Sequence, residues 1–302
     1  MRIAAHLGVK DDIELIEDAI AHLRSIGVDH IVAVDSFSTD GTADILAKHR
    51  NKDDFWFVQL DDLAEDATGV SWSQNNLDAL SGLRADWIIF LDADERWLPA
   101  TGSLRDCASL ADADVLTVSC YNVVLAPNGP ALPQLPTPSD YENTYLFIEP
   151  IPGFQHQLRL NPETPWIRGL PRSKVMVRPE RIGGITDCMH DIIANDGPPL
   201  RNLVPDDLLV AHLPFTTLTR FKKKIANIRQ SMTVHDACRG EALTWQWRRW
   251  LALSDERRIS EEFARQIYDG EEIATLLSSG TIRSAAEMMT GVGRQHGVAQ
   301  AS

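Results

Sequence analysis

Short apolar runs alternate with helix-spaced segments through the first third of the chain, and that alternation limits the fold more than any other feature. Ile3 to Leu7 reads as a strand. Ile13, Ile16, Ala19, Ile20, Leu23 and Ile26 then recur at helical spacing, and Gly27 closes that helix. His30 to Val34 is a β-branched run that stops at Asp35. The turn Ser38-Thr39-Asp40-Gly41-Thr42 opens a helix through about Lys48. Phe55 to Leu60 is the next strand, residues 73 to 83 read as helix, and Trp87 to Leu91 is a short, wholly apolar strand. Strands separated by helices pair side by side in parallel, and wholly apolar strands are buried on both faces. The order therefore predicts an α/β fold: a mostly parallel sheet flanked by helices.

The rest of the chain changes character twice. Ten of the sixteen prolines fall between Pro127 and Pro171, so regular structure is expected to be sparse there. Strand signals resume at Lys174 to Val177 and Leu208 to Ala211, and from Leu218 onward the pattern is helical. The expected division is residues 1–217 for the α/β unit, with acceptor loops over about 120–175, and 218–302 for a helical C-terminal extension.

Charge and cysteine usage exclude several classes. The formal net charge is −14, which argues against a nucleic-acid partner covering the surface. Acidic residues dominate 51–114, fourteen against four basic, and basic residues dominate 219–249, eight against two acidic. No run approaches the ~20 apolar residues of a membrane span. Cys107, Cys120, Cys188 and Cys238 are never paired as C-x-x-C, which points to reduced thiols and a cytoplasmic setting. Neither a G-x-G-x-x-G nor a P-loop motif is present.

Two strand ends carry the chemistry. Trp87-Ile88-Ile89-Phe90-Leu91 runs into Asp92-Ala93-Asp94-Glu95. Open parallel sheets gather ligands at the carboxyl ends of their strands. Three acids there repel one another unless something neutralises them, and a divalent cation with open positions for phosphate suits hard oxygen ligands. The plain alternative is a solvated acidic turn. At the second end, Asp35 is placed to accept hydrogen bonds from a base or ribose. Asp40 either caps the following helix or helps its N-terminus hold an anion.

These segments resemble family 2 glycosyltransferases. Residues 27–46, Gly-Val-Asp-His-Ile-Val-Ala-Val-Asp-Ser-Phe-Ser-Thr-Asp-Gly-Thr-Ala-Asp-Ile-Leu, look like that family's first nucleotide-binding segment. Asp86 to Glu95 looks like its D-x-D segment. His212-Leu213-Pro214-Phe215-Thr216-Thr217, followed by Phe221 and Lys224, resembles an H-x-P-x-x-[S/T]-x-x-x-F-x-x-K element of one bacterial branch.

The resemblance implies a GT-A fold and inverting transfer of a sugar from a nucleoside diphosphate, UDP ahead of GDP or dTDP, to a hydroxyl of a glycan or glycolipid. It implies manganese or magnesium as cofactor. Asp35 matches the nucleoside contact. Asp92 matches the first D-x-D acid, near ribose or the metal, and Asp94 the acid that binds the metal. His212 matches a histidine that completes the metal site or touches the diphosphate, and Lys224 would lie against a phosphate. A role in surface polysaccharide or lipopolysaccharide synthesis follows from the branch alone.

The chain departs from the family in two places. Gly8-Val9-Lys10-Asp11-Asp12 stands where an asparagine-glutamate pair is common, with Asp11 or Asp12 as stand-in. No acidic pair marks the general base, for which Glu149 leads, with Asp191 next and Asp187 also a candidate. His190 is a further site candidate beside Gly183-Gly184, and Arg172, Lys174 and Arg178 form a basic strand with one face free for phosphate. Trp166 is the candidate for stacking on a sugar, whereas Trp245, Trp247 and Trp250 read as core or interface. The basic, aromatic helices after 218 allow peripheral contact with a membrane surface. The competing readings are a sugar-nucleotide nucleotidyltransferase, a phosphohydrolase with an aspartyl nucleophile, and a non-catalytic sugar-nucleotide or glycan-binding module.

Overall fold

The computed structural model describes residues 1–60, 80, 82–149, 151–186, 189–243 and 245–290, and the side chains of all of these but 233–243. The expected helix over 73–83 lies almost wholly outside the described residues, as does Asp187.

The alternation is realised as β1 (Ile3–Val9), α1 (Ile16–Ser25), β2 (His30–Asp35), α2 (Thr42–His49), β3 (Phe55–Gln59) and β4 (Trp87–Asp92). Three further strands complete one seven-stranded sheet: β6 (Val115–Val118), β11 (Lys174–Val177) and β14 (Asn202–Leu203). Its order is β14-β6-β11-β4-β1-β2-β3. Every pairing is parallel except the two made by β11, which runs against β4 and β6. The fold is therefore mixed α/β with a mostly parallel sheet, as the alternation predicts.

Both faces of the sheet are buried. Ile3, Ala5, Leu7 and Val9 of β1 pack with Ile16, Ile20 and Leu23 of α1. On the other face Ala4 packs with Val32, Val34, Ile88 and Phe90. Each fully buried leucine or isoleucine contributes ~1.5–3 kcal/mol, so apolar runs without a polar face are what this position selects.

Register brings the strand ends together. Val9 lies opposite Asp35 across β1–β2, and Gly8 opposite Asp92 across β1–β4. The strand order reverses direction at β1, between β2 and β4, which is where such sheets open a crevice.

A second sheet stands beside the first. It consists of β5 (Glu95–Pro99), β15 (Leu208–His212) and β7 (Cys120–Asn122), in the order β5-β15-β7. Only Ala93 and Asp94 separate β4 from β5, so the acidic segment is the corner between two sheets. His212 is in register with Glu95 on one side and Asn122 on the other.

The proline-rich middle holds small pieces: a two-stranded ribbon, β8 (Leu125–Ala126) and β9 (Gly129–Pro130), then β10 (Tyr145–Phe147) and α3 (Phe154–Leu160). A second ribbon, β12 (Ile182–Ile185) and β13 (Ile192–Ala194), follows β11. The C-terminal part contains α4 (Leu218–Leu243), α5 (Trp245–Asp255), α6 (Ile259–Ala264), α7 (Gly270–Ser279), β16 (Ile282–Ser284) and α8 (Ala285–Met289). It closes back on the middle segment, since β16 pairs with β10. Phe221, Ile225, Ile228 and Trp250 share a core with Val124, Phe147, Ile167 and Phe215.

Trp166 packs half-buried against that core, its ring 5.2 Å from Trp250 and 5.9 Å from Phe215. Trp250 is core, as its spacing suggests. Among the described residues no helix is long and apolar enough to cross a membrane.

Candidate active site

The ends of β1, β2 and β4 carry carboxylates with different partners. Asp35 is completely buried at the end of β2. One carboxylate oxygen accepts from the Ser38 backbone N–H at 3.2 Å, while Oδ1 has no partner although it is buried. Burial raises its pKa. A buried acceptor without a donor is costly unless a ligand supplies one.

Asp11 and Asp12 occupy the loop after β1. Asp11 adopts a left-handed backbone, φ 53°, and its Oδ1 accepts from the Thr39 N–H at 2.6 Å. Asp12 receives Arg220 through Nη2 at 2.9 Å and Nε at 3.2 Å. Asp40 stands one residue before Gly41, the N-cap of α2, which has no side-chain cap bond; its Oδ1 accepts from the Thr42 N–H at 3.0 Å, and its Oδ2 from the Ile13 N–H at 3.2 Å. Both oxygens are thus held by protein donors.

The acid corner is neutralised from within the chain. Lys174, fully buried on β11, reaches Asp92 at 2.9 Å and Glu95 at 3.0 Å. Burial alone would depress its ammonium, but Asp92 and Glu95 outweigh that and hold it charged above the usual lysine value. The basic strand expected to offer a phosphate face therefore spends Lys174 on carboxylates. Arg178 caps the carbonyls of Ala113 and Leu110 and stacks 4.5 Å over Trp87. Gly8 lies close beside this corner: a Cβ there would stand 3.3 Å from Asp92 Oδ1 and 3.1 Å from Met189 Cε, so both side chains would have to shift slightly.

Asp94 is the centre of a second cluster. Its Oδ2 lies 3.0 Å from Arg220, 3.4 Å from Lys224 and 3.7 Å from His212 Nε2. Burial would raise the Asp94 pKa, but Lys224, His212 and Arg220 together hold it well below the usual carboxylate range. Arg220 and Lys224 sit one turn apart on α4, which places both on one face. Arg220 also donates to the Leu213 carbonyl at 3.2 Å, so it ties α4 to β1's loop and to the corner at once.

Among the described residues no three His, Cys, Asp or Glu side chains converge on one point. Asp92, Asp94 and His212 do not form such a trio; Asp92 Oδ2 is held by Lys174 at 2.9 Å. Asp94 and His212 do come together, as an ionised oxygen donor beside an imidazole nitrogen. Arg220 and Lys224 already reach the same Asp94 oxygen, so an ion of the magnesium or manganese type would share it with them and take its remaining positions from phosphate and water.

Both base candidates are exposed. Glu149 is exposed and accepts from the Thr281 hydroxyl at 3.0 Å. Asp191 lines a polar cleft with Thr117, Arg172, Ser173, His190 and Asn202. That cleft adjoins the corner, since His190 donates to the Ser173 carbonyl at 3.0 Å, one residue before Lys174. Burial, with Lys174 and Arg172 nearby, pushes the His190 imidazole down to about 4.

Sequence reasoning missed Arg220, Glu14 and Asn122. Arg220 carries a usable signal, the four-residue spacing to Lys224. Glu14 accepts from the hydroxyls of Thr216 at 2.9 Å and Thr217 at 2.7 Å, a pairing with no local pattern. Asn122 is a polar residue inside an apolar run and is completely buried.

The mixed α/β fold with its mostly parallel sheet is of the GT-A type. The glycosyl transferase family 2 model matches residues 9–168, just over half of the 302-residue chain. The chain belongs to that family. A comparison with curated protein sequences gives no match. Among solved structures the chain is similar to Staphylococcus aureus TarS 1-349 in complex with UDP, at 24% identity over 41% of this chain and 36% of that one, TM-score 0.33. It is similar to the same protein with UDP-GlcNAc at 15% identity over 78% of this chain and 68% of that one, TM-score 0.38. Mycobacterium tuberculosis glucosyl-3-phosphoglycerate synthase with Mn²⁺, UDP and glucosyl-3-phosphoglycerate aligns at 15% identity over 60% of this chain and 58% of that one, TM-score 0.30. The first of these alignments spans about a third of the TarS chain's length.

Proposed function

We propose that the chain transfers a sugar from a nucleoside diphosphate, UDP ahead of GDP or dTDP, to a hydroxyl of a glycan or glycolipid, with inversion and with manganese or magnesium bound. The observation that carries this reading is the pairing across one crevice of Asp35, with its unpartnered buried oxygen, and the ionised Asp94 beside His212. Asp35 Oδ1 accepts a ring N–H of the base. Asp94 and His212 hold the cation, which when bound offsets the charge that builds on the departing diphosphate. Lys224 is partly exposed and turns toward a phosphate, whereas Arg220 is buried and keeps Asp12 and Asp94 in place.

The acceptor oxygen attacks the anomeric carbon as the bond to the diphosphate oxygen breaks, and a carboxylate takes the hydroxyl proton. Asp191 is placed ahead of Glu149 for that task, because its cleft adjoins the acid corner. The setting we propose is bacterial surface polysaccharide or lipopolysaccharide synthesis in the cytoplasm, with the helices after 218 meeting the membrane surface.

Release of UDP from UDP-glucose and UDP-N-acetylglucosamine with Mn²⁺, with and without glycan acceptors, tests the reading. Turnover is expected, and Asp191→Asn should lower it about 10²–10⁴-fold with UDP binding retained. Glu149→Gln should stay within about twofold of the parent. No release from any nucleotide sugar would instead favour a non-catalytic binding module.

A further inference from the structure

The imidazole of His212 is held by a chain of hydrogen bonds whose polarity can be read without ambiguity. Asn122 Nδ2 donates to the carbonyls of Ile167 at 2.9 Å and Gly169 at 2.6 Å. Carbonyl oxygens only accept, so the group facing them is the amide NH₂. The other amide atom, Oδ1, therefore faces His212 Nδ1, 2.7 Å away. Oδ1 also only accepts, so Nδ1 carries the hydrogen. In the neutral ring this leaves a bare lone pair on Nε2, and Nε2 is the atom directed at Asp94, 3.7 Å from its Oδ2. A lone pair facing a carboxylate is unfavourable unless a proton or a metal cation joins them.

The carbonyls are themselves fixed. The Ile167 N–H donates to Gln266 at 2.9 Å, and Gln266 is fully buried. Gly169 packs so tightly that a Cβ would stand 2.7 Å from the Phe154 ring. Asn122 is itself completely buried and in register with His212 on the neighbouring strand.

We propose that Asn122 is a positioning residue: anchored by the 167–169 turn, it locks His212 in the Nδ1–H form and aims the Nε2 lone pair at the side of Asp94 where a divalent cation is held. The proposal rests on the metal-dependent reading above. A histidine whose second nitrogen is held in this way is a better and better-aimed donor, and loss of such a partner typically lowers metal affinity 10–100-fold.

The test uses the intact metal-free protein labelled with ¹⁵N-histidine, at pH 8.5, well above the ordinary imidazole pKa of about 6.5. Long-range ¹H–¹⁵N spectra, with His212→Gln to assign the signal, report which ring nitrogen bears the hydrogen. The parent should show Nδ1–H alone. Asn122→Leu removes the acceptor, and Asn122→Ser gives a second variant should the first not fold. Either should populate Nε2–H and weaken Mn²⁺ binding, followed by electron paramagnetic resonance, about 10–100-fold. An Nε2–H or doubly protonated ring in the parent would overturn the proposal, as would unchanged tautomer and Mn²⁺ affinity in a folded variant. A parent with the Nδ1–H ring that fails to bind Mn²⁺ with or without UDP would overturn the metal-dependent reading instead.

Discussion

Asp94→Asn is expected to lower sugar transfer by about 10³-fold or more and to remove the metal dependence of donor binding. Asparagine keeps the shape but not the charge. The fold should survive, because Arg220 retains its two hydrogen bonds to Asp12 and one to the Leu213 carbonyl. Lys224 loses its carboxylate partner but is already partly exposed and can be solvated. Circular dichroism with Mn²⁺ titration separates the loss of the donor from loss of structure. Parental turnover and parental Mn²⁺ affinity in this variant would remove Asp94 from the site.

The second large effect concerns stability. Lys174→Met leaves Asp92 and the buried Glu95 without their shared cation, and breaking a buried pair from one side costs about 3–5 kcal/mol. Burial already pushes the Glu95 carboxyl up to about 8 with Lys174 beside it, and without Lys174 it rises further above its unfolded value, near 4. Folding is then penalised most at pH values above the raised folded pKa, where the Glu95 carboxylate must be charged. The penalty shrinks as pH falls toward the unfolded value and Glu95 protonates. Urea unfolding should therefore show a larger deficit at pH 8 than at pH 5, and Lys174→Met/Glu95→Gln should recover part of it. A deficit that grows toward acid pH would contradict the ion-pair account.

What the sequence discloses and what it hides differ in a physical way. The β1-to-β4 alternation was legible because each strand is apolar on both faces and each helix has its own period, so local pattern and burial agree. Asp35, Asp92 and Asp94 were legible as strand-end acids for the same reason. Their partners were not. Lys174 meets Asp92 across an antiparallel strand that enters the sheet 82 positions later. Arg220 reaches Asp94 from 126 positions away. The mutual repulsion of the acids was visible in the sequence, but not that two lysines and an arginine relieve most of it. Trp166 adds a contact that no local pattern shows: a lone aromatic among prolines, its half-buried ring packs against Phe215 and Trp250.

The central claim is that one crevice binds a nucleoside diphosphate together with a divalent cation. Thermal denaturation of the intact chain with UDP, GDP or dTDP, each with and without Mn²⁺, tests it most directly. A ligand held only by the folded state stabilises it by about 2.7 kcal/mol at a hundred times its Kd. One diphosphate, UDP by this account, should raise the melting temperature with Mn²⁺ and have little effect without it. No shift with any diphosphate in the presence of Mn²⁺, or an equal shift in its absence, would contradict the account.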